Sequence, residues 1–354
     1  MNPENTEHSS RRRRLLLGGA SGLVALAAAG PAFAAHKPAP KLAPLSTSST
    51  SAVLTTAVST ASGVPDLFPN SFFDHSVSAQ PVAAGSSSLV ASLVNQYQTY
   101  YGYIGVNRLP IFTVPATQPL VKVSLASGCY GSFLATLGPG VPIPPGAYNS
   151  NTSDEWMIVS QPSTGQAWEL WKATQTNGQW SACWGGGLNT LTSTGVFPAP
   201  FGASATGISY LATTITEDDV ASGQIDHAIA LQIPKCNNYV APADRTDCKT
   251  GMAGGSTPGT PPEGTWFRLP ATTPMPAGLT PFAQMVFQAL KTYGAVVTDH
   301  AGAVMTEAEN SNDWAFEGHI GTDPITTAFA GKLQWNVFNG MPWSQLQVIN
   351  PPLG

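Results

Sequence analysis

Apolar side chains recur at helical spacing in two segments of the chain. The first segment predicts a helix over Ser86–Tyr100, which begins at a run of serine residues and continues through apolar positions at Leu89, Leu93, Val94, Tyr97 and Tyr101. The second predicts a helix over Pro281–Tyr293, which Thr280 caps and Gly294 ends. A third, shorter helix is indicated after Thr216, because Asp219 follows it at the spacing of a capping box.

Most of the remaining chain consists of short alternating or apolar runs between turns rich in Gly and Pro. Glu155–Ser160 and Gln166–Lys172 predict a hairpin around Pro162-Ser163-Thr164-Gly165. Further strands are predicted at Leu120–Leu125, Ile225–Ile233, Thr265–Leu269, Ala295–Thr298 and Ala303–Glu307. Many short strands with such turns favour a mainly β fold, a β-sandwich or jelly roll of the concanavalin-like kind with a few short helices.

The N-terminus has the three-part pattern of an export signal. Four arginines, Arg11 to Arg14, precede an apolar stretch that ends at the small-x-small site Ala32-Phe33-Ala34. Arg12-Arg13 followed by Leu15-Leu16 fits the twin-arginine pattern, and an ordinary secretory signal with a basic start is the alternative. We therefore expect residues 1–34 to be a signal peptide and the mature protein to be periplasmic or extracellular.

The composition changes again after the signal. Residues 35–62 are dominated by Ala, Pro, Ser and Thr and contain no aromatic residue, which predicts a disordered linker. Residues 63–354 are then expected to form a single β-sandwich domain. No second apolar run is long enough to span a bilayer, so no membrane contact is expected after signal cleavage.

Charge and motifs exclude several classes of function. Removal of residues 1–34 leaves 11 basic and 18 acidic residues, a formal charge of −7, which disfavours nucleic acid as a partner. The motifs Gly-x-Ser-x-Gly, His-Glu-x-x-His and Gly-x-x-x-x-Gly-Lys do not occur, so no cofactor is expected. The four cysteines, Cys129, Cys183, Cys236 and Cys248, do not have zinc-site spacing, and no metal is expected.

An even number of cysteines in an exported chain predicts two disulfides instead. Three connectivities are possible. Because Cys236 and Cys248 bracket a short loop, we favour that pair, with Cys129–Cys183 as the second.

Two residues are candidates for acid–base chemistry. In the predicted strand from Ile225, His227 shares a face with Ile225, Ile229 and Leu231, so its imidazole must be hydrogen-bonded or lie in a cleft. Glu169 lies between Trp168 and Trp171, and a carboxyl among aromatic rings suits a sugar site. The alternatives are a core histidine bonded to a backbone carbonyl, and a Glu169 that faces solvent while the two tryptophans pack.

Arginines could complete such a site. Arg245 lies in the loop between Cys236 and Cys248, and Arg268 lies on the strand Trp266-Phe267-Arg268-Leu269. Either arginine could bind a substrate carboxylate, with Trp168 and Trp171 as sugar contacts, or could pair with an acidic residue of the chain.

Three stretches carry a resemblance: Ile225-Asp226-His227-Ala228-Ile229-Ala230-Leu231, Phe267-Arg268-Leu269, and Ala289–Gly294 with Asp299. They resemble a family of secreted bacterial proteins that look like jelly-roll carbohydrate-active proteins. The resemblance extends over most of residues 65–300 and implies a jelly-roll fold and contact with carbohydrate. Gln224-Ile225-Asp226-His227 also resembles the Gln-Ile-His strand of alginate-lyase-like jelly rolls, with one residue inserted.

These features lead to one main expectation and two alternatives. The main one is a secreted enzyme that hydrolyses glycosidic bonds in extracellular polysaccharide. The second is a polysaccharide lyase in which His227 or Tyr293 is the base and an arginine neutralises a uronate. The third is a non-catalytic glycan-binding or surface protein. The sequence leaves the glycan, the linkage and the oligomeric state open.

Overall fold

The computed structural model describes residues 67–252, 254–351 and 353, so the expected signal peptide and most of the linker lie outside the described residues. The helices are α1 (Ser86–Thr99), α2 (Glu217–Ser222), α3 (Pro281–Thr292), α4 (Ser311–Phe316) and α5 (Pro324–Ala328). The strands are β1 (Gly105–Leu109), β2 (Ile111–Thr113), β3 (Val123–Leu125), β4 (Met157–Gln161), β5 (Gln166–Trp171), β6 (Thr174–Thr176), β7 (Gln179–Ala182), β8 (Trp184–Asn189), β9 (Ile229–Ile233), β10 (Trp266–Arg268), β11 (Ala295–His300), β12 (Met305–Glu309) and β13 (Gln347–Ile349).

These strands form three sheets. The first has the order β1-β12-β9-β11-β10-β13, the second β2-β4-β5-β8, and the third β3-β7-β6. The expected β-rich fold is therefore confirmed. The topology does not confirm a jelly roll, whose two sheets are antiparallel, because β1–β12, β9–β11, β2–β4 and β3–β7 pair in parallel.

The six-stranded sheet separates two cores. Ile229, Leu231 and Ile233 of β9 belong to the core that contains Phe282 and Val286 of α3. Because side chains alternate along a strand, Gln232 points to the opposite face, where it contacts Tyr210 of the second core. The second core lies against the four-stranded sheet, so the face of β9 and β11 that α3 does not cover meets a second β layer.

Predictions that depend on residues close together in sequence are confirmed. Both long helices form at the expected positions, Thr280 caps α3 by accepting a hydrogen bond from the Ala283 N–H, and β4 and β5 form the expected hairpin. The capping box between Thr216 and Asp219 is also present. One strand prediction was wrong in extent: β9 begins at Ile229 rather than Ile225. In the sheet, β9 lies between β11 and β12.

Residues 195–215 contain no helix or strand, yet most of them are buried. This segment, which we call the core loop, reaches the four-stranded sheet over glycines of β8. A Cβ atom on Gly186 would lie 3.0 Å from the backbone nitrogen of Gly202, so any larger residue would push the loop away. The core loop holds the side chains described below.

Two disulfides join Cys129 to Cys183 and Cys236 to Cys248, as the sequence analysis favoured. Disulfides are typical of an oxidising, exported environment. Within residues 67–252 and 254–351, no helix is both long and apolar enough to cross a bilayer.

Cys248→Ser should lower the free energy of unfolding by about 3 kcal/mol in the chain-entropy description of a cross-link. Calorimetry or chemical denaturation measures this loss. Because Cys236 is fully buried, its freed thiol should react with a thiol reagent only in denaturant.

Cys129→Ser is the matched control, since it opens the other bridge, whose cysteines are half-buried. It should cost about 4 kcal/mol, because its cysteines are 54 residues apart rather than 12. An unchanged melting temperature in Cys248→Ser, or two reactive thiols in the native wild type, would contradict the assignment.

Candidate active site

The Glu169 side chain faces the interior between two sheets. Alternation along β5 places Trp168 and Leu170 in one core, and Ala167 and Trp171 against another, on the face that Glu169 shares. Glu169 is fully buried, which rules out the alternative in which it faces solvent. It is therefore a buried carboxyl that the protein must supply with donors or keep protonated.

The core loop supplies those donors on one side of the carboxyl. Oε1 of Glu169 accepts hydrogen bonds from the Ser209 hydroxyl at 2.6 Å and the Leu211 N–H at 3.0 Å. Oε2 has no hydrogen-bond partner among the described residues. Burial raises the pKa of Glu169 to about 7, against the opposing effect of the Ser209 and backbone hydrogen bonds. The carboxyl can therefore hold a proton on Oε2 near neutral pH.

A second carboxyl, Asp299, is held by the same loop. It lies near the end of β11, just after a register irregularity between Val297 and Asp299. Its Oδ2 accepts hydrogen bonds from the Tyr210 hydroxyl at 2.7 Å and the Ala205 N–H at 3.1 Å. Its Oδ1 accepts from the N–H of His300 at 2.8 Å.

Asp299 is 9% exposed, whereas its partner Tyr210 is fully buried. Burial raises the pKa of Asp299 to about 7, although the hydrogen bonds from Tyr210 and the backbone lower it. Burial thus raises the pKa of Asp299 and that of Glu169 to the same value of about 7. The two carboxyls differ in the arrangement of their donors, because Asp299 accepts hydrogen bonds on both oxygens whereas Oε2 of Glu169 has no partner among the described residues.

Arg245 adds a positive charge to this region. Its guanidinium donates to the carboxylate of Asp244 at 3.1 Å and to the carbonyl of Ser204 at 3.0 Å. Burial lowers the pKa of Arg245, and the charge of Asp244, followed by those of Asp299 and Glu169, opposes that shift. We call Glu169, Tyr210, Arg245 and Asp299 the acid site. The sequence analysis had named two of these four residues.

The half-exposed Trp171 lies at the rim of the same region. Its indole N–H donates to Asp154 at 3.0 Å, and the Lys172 ammonium lies 5.5 Å from its ring centre. Trp171 is two residues from Glu169 on β5 and lies on the same face of the strand. Trp168, in contrast, is buried in a core and does not reach solvent as a sugar contact must.

The loop that the second disulfide closes brings more carboxyls to Asp299. Oxygens of Asp247 and Glu263 lie within 4.8 Å of each other and of both sulfurs of the Cys236–Cys248 bridge. This is the group closest to a metal site among the described residues. Its sulfurs are bonded to each other, so they carry no thiolate charge, and two carboxyls remain. Burial, followed by the charge of Asp299, raises the pKa of Glu263 to about 9.

His227 lies outside the acid site. It precedes β9 instead of belonging to it, and its ring bonds to Asp219 at 3.2 Å and to the Ala228 carbonyl at 2.9 Å. Burial lowers the pKa of His227, but the charge and hydrogen bond of Asp219 raise it more, so the net shift is upward. His227 thus links the start of β9 to the capped end of α2. This matches the alternative interpretation of His227 as a structural histidine bonded to a backbone carbonyl.

Tyr293 and Arg268 also lie elsewhere. Arg268 donates to the carbonyl of Ser78 at 2.8 Å, to that of Val77, and to the Gln347 side chain, which ties β10 to β13 and to the start of the domain. Tyr293 follows α3 and lines a cleft with Gln224 and Asp226. The structure therefore brings Glu169, Arg245 and Trp171 to one region and His227, Tyr293, Arg268 and Trp168 to other places.

A further set of buried carboxyls surrounds the start of α2. Glu217 donates its N–H to Glu309 at 2.8 Å, and Asp313 accepts from the Ile111 N–H at 2.8 Å and from the Tyr148 hydroxyl. Burial, followed by nearby acidic charges, raises the pKa of Glu217 to about 8. Burial raises that of Asp313 to about 7. These groups bond to backbone and side chains of neighbouring elements, and we assign them to stability rather than chemistry.

Comparison of the chain with protein-family models, with curated proteins and with solved structures gave no match in any of the three. The resemblance to secreted jelly-roll proteins therefore stays a prediction from the sequence. The function must be argued from the side chains alone.

The sequence analysis gave no catalytic role to Tyr210 or Asp299. One available signal was the position of Asp299 after the apolar run Ala295-Val296-Val297. Polar residues at the carboxyl ends of parallel strands commonly line sites. Tyr210 lies in a segment without regular structure, and no pattern of spacing marks it.

The buried carboxyls predict how stability depends on pH. The folded-state pKa values of Glu169, Glu217 and Asp313, about 7, 8 and 7, lie above the ordinary 4.5, 4.5 and 3.8. The folded chain binds more protons, so their stabilisation is complete below the unfolded values and is lost as the pH rises through 7 to 8. The melting temperature should fall between pH 5 and pH 8.5.

Glu217→Gln should make that decrease smaller, by on the order of 3 kcal/mol in the free energy of unfolding across this range. The exposed neighbour Asp218 provides the control, and Asp218→Asn should leave the pH dependence unchanged. A melting temperature that stays constant or rises from pH 5 to pH 8.5 would refute this account.

Proposed function

We propose that this protein is an exported hydrolase that cleaves glycosidic bonds of an extracellular polysaccharide at the acid site. The observation that carries the proposal is that one loop holds two buried carboxyls in different ways. Asp299 receives three donors, whereas Glu169 keeps one oxygen without a partner among the described residues.

Glycoside hydrolysis requires such a difference between two carboxyls. One must give a proton to the departing sugar oxygen, and the other must remain ionised on the far side of the bond. Glu169 suits the first role, because burial raises its pKa to about 7 and its Oε2, which has no partner among the described residues, can carry the proton. Asp299 suits the second, because the Tyr210 hydroxyl and two N–H groups stabilise its charge.

The balance of the reaction follows from these roles. The glycosidic C–O bond breaks as the Glu169 proton moves to the leaving oxygen. Water supplies the new C–O bond, and its proton passes to the Asp299 carboxylate. The positive charge of Arg245 near both groups stabilises the carboxylate that Glu169 becomes.

Two observations outside the two carboxyls support a secreted glycan enzyme. Trp171 offers an aromatic face at the rim, beside the hydrogen-bonding Asp154, and aromatic faces stack on sugar rings. The two disulfides fit an oxidising compartment, consistent with an export signal at residues 1–34. The proposal does not depend on a jelly-roll topology.

The lyase alternative fits the structure less well. Its base would be His227 or Tyr293, yet His227 is held by Asp219, and burial, followed by the charge of Asp226, raises the pKa of Tyr293. A lyase also needs a cation beside the uronate. Among the described residues that line the cleft of Tyr293, none is a lysine or arginine.

Glu169→Gln should abolish hydrolysis while keeping the fold. The glutamine carbonyl can accept from Ser209 and Leu211, and only the proton is lost, so kcat should fall about 10²- to 10⁴-fold. The release of reducing ends from a polysaccharide panel measures this, with Asp218→Asn as the surface control. Absorbance from an unsaturated uronate product would indicate a lyase. An active Glu169→Gln enzyme would exclude Glu169 as the general acid.

Tyr210→Phe should move the acidic limb of the pH–rate profile to higher pH. The Tyr210 hydroxyl lowers the pKa of Asp299, so its removal requires a higher pH to ionise this base. Tyr148→Phe is a matched control, because Tyr148 bonds to Asp313 in the same way outside the acid site. A profile that shifts equally in both variants, or in neither, would remove Asp299 from the mechanism.

A further inference from the structure

A cleft of about 810 Å³ lies beside α3, and it shares no lining residue with the acid site. Its walls come from α3, from α5 and from the segment between α2 and β9. Tyr293 and Gly294 directly precede β11, whereas Asp299 lies near the other end of that strand. The cleft is therefore at the amino end of the β9–β11 pair and the acid site is at the carboxyl end; Ala295, at the start of β11, and Asp299 are about 13 Å apart along the strand.

One part of the cleft is polar and organised around a carboxylate. The exposed Asp226 accepts a hydrogen bond from the Gln224 amide at 2.7 Å. Tyr293 lies beside it, since the charge of Asp226 and a hydrogen bond to it contribute to the shift in the pKa of the phenol. Gln284 and Gln288 of α3 line the same cleft, and although Nε2 of Gln284 donates to the Leu279 carbonyl at 2.9 Å, its Oε1 and the Gln288 amide can bind hydroxyls.

The cleft has negative charge without a lining cation. Asp226 lines it, Asp74 is close enough to act on Tyr293, and no lysine or arginine is among the described lining residues. Lys291 of α3 turns away, with its ammonium 3.2 Å from the Thr273 carbonyl. The nearby His227 is paired with Asp219. This arrangement favours a positively charged group and disfavours an anion.

The cleft is also lined by apolar side chains. Met275, Met285 and Ala289 line it, and methionine side chains adapt their shape to the ring carbons of a ligand. A site that combines one carboxylate, several amides and apolar side chains matches a ring that has hydroxyl groups and one ammonium group.

We propose that this cleft binds an amino-sugar unit of the polysaccharide, with its protonated amine on Asp226. The inference rests on the proposed function and names its substrate class, a polymer with free amino groups. Gln224 and Tyr293 position the Asp226 carboxylate, and Gln284 and Gln288 bind ring hydroxyls. A unit bound here lies away from the bond that is cleaved, so the cleft serves as a remote substrate site.

Calorimetric titration of the Glu169→Gln protein with a glucosamine tetrasaccharide tests the inference without turnover. The tetrasaccharide should bind, and Asp226→Asn in the same protein should weaken binding about tenfold or more, because a charge-assisted hydrogen bond is lost. Asp218→Asn, which changes an exposed acid of α2 outside the cleft, should leave binding unchanged.

Three further probes define the ligand. An N-acetylglucosamine tetrasaccharide, which has no charge, and a galacturonate tetrasaccharide, which is anionic, should both bind at least tenfold more weakly. Spermidine should also bind more weakly, because it has charge but no sugar ring. Equal binding of any of these probes, absence of binding by the glucosamine tetrasaccharide, or an unchanged affinity in Asp226→Asn would overturn the inference.

The outcome is separable from that of the proposed function. Binding in the cleft together with no hydrolysis of any polysaccharide by the wild-type protein would reject the enzyme and retain the ligand. Hydrolysis of a neutral polymer that depends on Glu169, together with no binding of the glucosamine tetrasaccharide, would retain the enzyme and reject the amino-sugar ligand.

Discussion

The burial of carboxyl groups between two β layers is the constraint on which the rest of the structure depends. A carboxyl removed from water must gain donors or stay protonated, because an isolated buried charge is too costly. The core loop meets this requirement by donating hydrogen bonds from backbone N–H groups and from the hydroxyls of Ser209 and Tyr210. A regular strand could not present this set of donors on one side. The path of the core loop explains other features, including the glycine at position 186 and the guanidinium of Arg245 against the Ser204 carbonyl.

This constraint also links stability to chemistry. Groups that are kept neutral by burial stabilise the fold in acid and weaken it as they ionise. The same burial provides a carboxyl that is protonated near neutral pH and is therefore able to act as an acid. The carboxyls around α2 show the first effect without the second, because they lie away from the acid site and have the partners of a structural cluster. Function is therefore assigned by the arrangement of donors, and not by a raised pKa alone.

The sequence predicted what depends on neighbours along the chain. Four such features depend on residues that are close together in sequence: the cap at Thr280, the capping box of α2, the β4–β5 hairpin and the short disulfide loop. The order of strands in the sheet does not, because β9 pairs with β11 and β12 across long connections. His227 shows the limit of periodicity: the apolar alternation begins at Ile225, four residues before the strand starts at Ile229, so it predicted a strand face for His227 that does not exist there.

The same distinction explains why the acid site was found in part. Glu169 could be selected because tryptophans flank it in sequence, and Arg245 because a predicted disulfide closes its loop. The partners of these residues could not be selected from the sequence, since Ser209 is 40 residues from Glu169 and Tyr210 is 89 residues from Asp299, to which it donates a hydrogen bond. Such contacts form because two sheets pack around an irregular loop. Neither the hydrophobic periodicity nor the composition of the sequence predicts that packing.

Under the proposed function, the acid site and the cleft divide the work that an enzyme on a polymer must do. Binding energy from parts of a substrate that do not react can be used to orient the bond that does. The β9–β11 pair is suited to that coupling, because it is a rigid central part of the sheet with the cleft at one end and Asp299 at the other. A single sugar cannot reach both ends, whereas a polymer can. Separation of the sites therefore favours chains over small glycosides, and the fixed length of the strand pair sets the spacing that a chain must match.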